Sequence, residues 1–153
     1  MAKHPKWLRV LFTDADFDAL VAAIRRAEAT TSGEIRVHLE RRLPRSARGD
    51  ALARAREVFA HLGMHRTAER NGVLIYLAVD DRRLAVVGDE AVHAHVGDSY
   101  WDGLRDALVA LLRVGRAREA VVGAVHDVGG VLSRHFPRRR GDVNELSDDV
   151  STA

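Results

Sequence analysis

The chain has no cysteine among its 153 residues. That excludes a disulfide scaffold, an iron–sulfur centre, a thiolate zinc site and a cysteine nucleophile, and it sets nothing against a reducing compartment. Aromatic residues make up only 5%. No basic stretch is interleaved with stacking rings, so a single-strand nucleic-acid platform is not expected. Lysine occurs only as Lys3 and Lys6, the other basic residues being arginine. With 24 basic and 22 acidic side chains the formal charge is +2, too small to specify a polyanionic partner. Long apolar runs are missing too: the longest, residues 73–79, is far short of the roughly 20 residues that cross a bilayer. Residues 1–9 carry no apolar core of a signal peptide. A soluble, cytoplasmic protein with no membrane span and no nucleic-acid partner is the expectation.

What is present is the balance of one globular domain, with 46% hydrophobic and 30% charged residues. At this length roughly 70% of the unfolded surface can be buried, so a core forms without disulfide or metal. Thr13 with Asp14 and Asp16 marks a helix start, and Phe17, Leu20, Val21, Ile24 and Ala27 recur at helical spacing up to about residue 29. Gly33 permits a turn. Residues 34–40 alternate, with Ile35, Val37 and Leu39 on one face and Glu34, Arg36, His38 and Glu40 on the other, which reads as a strand with one polar face. After a loop over 41–49, helical spacing returns over 51–62, and Gly63 suits a left-handed cap.

Residues 73–79 are apolar throughout and read as the sheet centre, covered on both faces. The turn at 80–83 leads to a strand over 84–87, an antiparallel pairing. The long connection between the first two strands suits a parallel crossover, so the sheet should be mixed. Helices follow over about 98–114, capped by Asp98 or Ser99, and 118–135, where Gly123, Ala124, Gly129 and Gly130 suit close packing on the sheet. The expected organisation is an N-terminal segment 1–12, an α/β/α domain over 13–137 and a polar, solvated tail over 138–153 rich in charge. Trp7, Leu8, Val10, Leu11 and Phe12 either pack on their own domain or form a docking patch.

No serine stands in a nucleophile elbow, and no phosphate-cradling glycine motif implies an organic cofactor. His61 and His65 are separated by a helix-ending Gly63. His93 and His95 fit one face of a strand but lack a zinc motif. The remaining constellation is acidic: Glu34, Asp80, Asp81, Asp89 and Asp98. If their loops meet at one end of the sheet they suit a hard cation such as calcium, which takes six to eight oxygens. From the residues alone, Asp80 and Asp81 read first as turn formers and Asp98 as a helix cap.

The segment from Ser32 to Glu40, the run Arg70-Asn71-Gly72-Val73-Leu74-Ile75-Tyr76, the Asp80-Asp81-Arg82 turn and Gly88-Asp89 together resemble the TPM-domain family, in its short, anchor-free bacterial branch. The ending His135-Phe136-Pro137 with residues 142–146 is similar to that branch too. The resemblance implies a three-layer α/β/α sandwich around a mixed sheet, and calcium binding as found in some members. It leaves three readings. One is a non-catalytic divalent-cation module with the five carboxylates as ligands and Arg36, His38, Asn71 and Arg82 as neighbouring polar candidates. Another is a metal-dependent acid phosphatase-like hydrolase, with Arg36 or Arg82 stabilising phosphoryl charge. The last is a protein-interaction or quality-control adaptor using the polar strand face and the acidic tail from Asp142.

Overall fold

The computed structural model describes residues 4–138 and 150–152. A short helix α1 (Lys6–Arg9) leads into α2 (Asp14–Glu28). Thr13 caps α2 through a reciprocal pair: its hydroxyl accepts from the Asp16 N–H at 3.1 Å, and the Asp16 carboxylate accepts from the Thr13 N–H at 2.9 Å. Then come β1 (Glu34–Glu40), α3 (Ala51–His61), β2 (Gly72–Ala78), β3 (Arg83–Gly88), α4 (Glu90–Arg113), α5 (Ala117–His135) and β4 (Ser151–Thr152).

The sheet runs in the order β3-β2-β1-β4. β1 lies parallel to β2, with Glu34 opposite Gly72, and β3 lies antiparallel to β2, with Gly88 opposite Val73. The mixed sheet expected from the connection lengths is thus formed. Side chains alternate between two layers. Ile35, Val37, Leu39, Val73, Ile75, Leu77 and Val86 join the main core with α2, α4 and α5. Leu74, Tyr76, Ala78 and Ala85 face a smaller core with Ala55, Val58 and Phe59 of α3 and with Met64. Every residue of β2 is buried, as a central strand requires.

Several expectations need correction. The second face of β1 is not a solvated one: Glu34, His38 and Glu40 are buried and Arg36 is half-buried. The helix expected from residue 98 begins at Glu90, so His93 and His95 are helical; Gly97, at φ 73° and ψ 177°, breaks the helix internally. Gly33 serves close approach, since a Cβ there would stand 2.9 Å from Leu132. Gly129 packs on α2 instead of the sheet, its Cβ position being 2.7 Å from that of Ala27. Leu8 and Phe12 are fully buried, so the N-terminal apolar segment packs on its own domain, with Val10 left exposed. Val150 packs on the main core and Ser151–Thr152 pairs with β1 at the sheet's far edge, where a solvated tail was expected. The acidic tail residues from Asp142 to Asp149 lie outside the described residues.

Candidate functional site

The acidic candidates are distributed over both ends of the strands. Asp80 and Asp81 follow the end of β2. Asp80 Oδ2 lies 3.0 Å from Arg41 Nε and 3.5 Å from Arg42 Nε, and Asp81 accepts a hydrogen bond from the Leu43 N–H at 2.6 Å. Both carboxylates therefore fasten the β2–β3 turn to the segment leaving β1. Glu34 and Asp89 stand at the opposite end, about 20 Å away along a seven-residue strand. Glu34 is buried, and its N–H donates to the Asn71 carbonyl at 3.4 Å. The Asn71 side chain donates to Ser32 Oγ at 3.2 Å, and Ser32 bonds the Glu69 carboxylate. Asn71 thus ties the turn into β2 to the turn into β1.

Asp89 caps α4. Its Oδ1 accepts the Glu90 N–H at 2.8 Å, and its Oδ2 is buried without a hydrogen-bond partner among the described residues. Glu34 and Asp89 are two strand spacings apart, about 10 Å, with Gly72 between them and the Met64 carbonyl 3.2 Å from the Gly72 Cβ position. Asp98, just past the α4 break, is exposed and lies 3.6 Å from His93 Nε2. A calcium ion needs six to eight oxygens around one point. The five predicted carboxylates do not fit one such shell, and among the described residues no three His, Asp or Glu side chains are grouped as a metal requires.

The α3 side of β1 holds a polar network instead. Glu40 takes charge-assisted hydrogen bonds from the Arg54 guanidinium and one from the Tyr76 hydroxyl. The His38 ring stacks near Tyr76, with centroids 6.1 Å apart; its Nδ1 is 2.8 Å from Ser151 Oγ and its Nε2 3.6 Å from Glu40 Oε1. Burial holds His38 below its usual 6.5 although Glu40 pulls the other way. Burial also pushes the Glu40 carboxyl up, but the bonds from Arg54 and Tyr76 outweigh it and leave Glu40 below 4.5. Tyr76 is pushed up, by burial first and by Glu40 second. The result is a carboxylate kept ionised inside the fold, joining β1, β2 and α3. Arg36 is on the same strand face, with a buried Nε that has no hydrogen-bond partner among the described residues.

An open groove lies elsewhere. A groove of about 1000 Å3 follows β3 between α3 and α4. β3 is the sheet edge, and its strand residues 84–87 form the floor. Trp101 lies on the Gly88 end: a Cβ at Gly88 would stand 2.1 Å from its ring. The walls carry Arg48, Arg56, Arg82, Arg83, Arg105 and Arg113. Arg48 and Arg82 have left-handed backbones, at φ 50° and 53°, a conformation that is sterically unfavourable for a long side chain. Of the sequence candidates, only Arg82 and Asp98 reach this groove. The other arginines were not singled out; the available signal was an Arg-Arg pair opening a short strand after a hairpin, at the edge of the sheet.

A comparison with curated proteins finds no match. The BA42 protein of the psychrophilic bacterium Bizionia argentinensis, solved by NMR, is 37% identical, with a TM-score of 0.82 over 93% of this chain and 95% of that one. The N-terminal domain of a P. gingivalis protein (18% identity, TM-score 0.67, 85% of this chain and 83% of that one) shares the fold. So does the N-terminal domain of the cg2496 protein of Corynebacterium glutamicum (16%, 0.63, 95% and 93%). The TPM domain model matches residues 9–131, a span that takes in β1 to β3, the groove and most of α5. The chain belongs to the TPM-domain family.

Proposed function

We propose that this TPM domain is a non-catalytic protein-interaction module whose working surface is the groove beside β3. The observation that carries this reading is the groove's composition. Arg48, Arg56, Arg82, Arg83 and Arg113 line it, and none forms an ion pair with a described residue, so their charge is available to a partner. Quantitative affinity capture from the native cell extract tests it, comparing the wild type with the charge reversal Arg82→Glu/Arg83→Glu. A partner held by the wild type and lost with the reversal supports the reading, and identical captured sets overturn it. Purified protein is expected to leave an activated aryl phosphate intact with and without divalent ions; metal-dependent turnover would favour the hydrolase.

A second reading, binding of a divalent cation such as calcium, is favoured by Asp89, whose buried Oδ2 has no donor among the described residues. Calcium is the hard ion for such an oxygen, with carbonyls and water completing the shell. A calorimetric titration of chelator-stripped protein with calcium, magnesium competing, checks it. Saturable heat that weakens in Asp89→Asn but not in Asp81→Ala supports the reading; no heat at millimolar calcium removes it.

A further inference from the structure

The groove beside β3 has a floor of a particular kind. In an antiparallel strand every second residue turns its N–H and C=O away from its partner. β3 pairs with β2 alone among the described residues, so about three of its six residues direct backbone donors and acceptors into the groove. An exposed edge of this kind is a template for another strand, and proteins usually blunt it with charge, proline or a bulge. Here charge sits at the start of β3, and the Leu84-Ala85-Val86-Val87 run between is uncharged.

Charge also separates along the groove. α4 starts where β3 ends and runs back beside it, Trp101 covering Gly88. From Trp101 to Arg113 a helix rises about 18 Å, the length of a six-residue strand. Arg113 therefore reaches the end where Arg82 and Arg83 enter β3. On the other wall Phe59, late in α3, is 3.7 Å from the Gly72 Cβ position, so the beginning of α3 with Arg48 lies at that same end. Glu90, Asp98 and Asp102 line the Gly88 end, while Asp50, the acidic lining residue beside Arg48, is engaged as the α3 cap, accepting the Ala53 N–H at 3.0 Å.

We infer that the occupant is an extended acidic segment of a partner protein, added as a strand along the outer edge of β3 with its carboxylates against Arg48, Arg82, Arg83 and Arg113. Backbone hydrogen bonds to the edge supply register, and the arginine end supplies sign. This rests on the groove being the working surface, and it adds the chemistry and conformation of what binds there.

Fluorescence anisotropy with the full chain tests it, using a labelled peptide of about nine residues, a strand's length, that alternates Glu and Val. Saturable binding is expected, roughly tenfold weaker for Arg82→Glu/Arg83→Glu and for a Lys–Val peptide, since several charge pairs reverse at once. Methylating alternate peptide nitrogens, in either frame, preserves the charge and removes the donors. One frame should lose binding by roughly tenfold or more, because the ladder is gone. Equal binding of both methylated peptides would show an electrostatic contact without strand addition and overturn the proposal. So would preference for a phosphate oligomer or an anionic vesicle over the peptide, or self-association that occupies the edge. If Arg82→Glu/Arg83→Glu abolishes partner capture while no peptide binds, strand addition falls and the interaction reading survives.

Discussion

At the residue scale, two positions beside the groove make opposite demands. Gly88 is required by proximity: the Trp101 ring occupies the space a methyl would take, at 2.1 Å. Gly88→Ala should destabilise the fold by about 1–3 kcal/mol through overpacking. Denaturant unfolding measures this, and adding Trp101→Leu should recover part of the loss. Arg82 is held at φ 53°, which asparagine adopts more readily. Arg82→Asn should leave stability unchanged or raise it by about 0.5 kcal/mol, while weakening the Glu–Val peptide about threefold. A residue whose replacement is neutral or better for folding and worse for binding is held for binding.

Such positions were poorly legible in sequence. Gly88 reads as a strand terminator and Arg82 as a turn residue, because the ring and the edge that explain them come from α4 and from strand order.

At the element scale, β1 shows why its second face was misread. Glu34, Arg36, His38 and Glu40 alternate with apolar residues, and alternation ordinarily signals a solvated face. In this strand the polar face is covered, and elements distant in sequence hold two of its groups: Glu40 bonds Arg54 and Tyr76, and His38 Nδ1 pairs with Ser151. Removing Arg54 would leave Glu40 charged inside the fold, and Arg54→Met should cost about 3 kcal/mol, read from denaturant unfolding.

The same network predicts a pH dependence. His38 titrates lower in the fold than its usual 6.5, so the unfolded chain takes up the proton first. Stability is complete above pH 6.5 and falls as pH drops from there through the folded value. Glu40, held below 4.5, contributes stability that is present above 4.5 and lost as pH falls through its folded value. His135, also lowered by burial and then by His95, adds to the first window. Thermal unfolding against pH should therefore decline in two stages, and His38→Gln should shrink the first. A profile unchanged by His38→Gln would contradict the assignment.

At the scale of the whole molecule, the fold was legible because its signals are local: the capped helix at Thr13, the alternation at 34–40, the apolar run of β2 and the short antiparallel return. The mixed sheet followed from connection lengths. Strand order also decides which edge stays open, and that depends on Ser151–Thr152 pairing with β1 from the far end of the chain. The acidic candidates were chosen as though their loops met. The topology instead sends Asp80 and Asp81 to one end of the sheet and Glu34 and Asp89 to the other, and the groove runs along β3 between the two ends.

The central claim is that the outer edge of β3 is open and takes a strand. Backbone hydrogen exchange, resolved by residue across Arg83–Gly88 with and without the Glu–Val peptide, tests it most directly. The account predicts that alternate amides of β3 exchange readily in the free protein and slow by roughly tenfold or more at saturation, when the edge becomes an interior ladder. Those amides already protected without peptide, or unchanged at saturation, would contradict it.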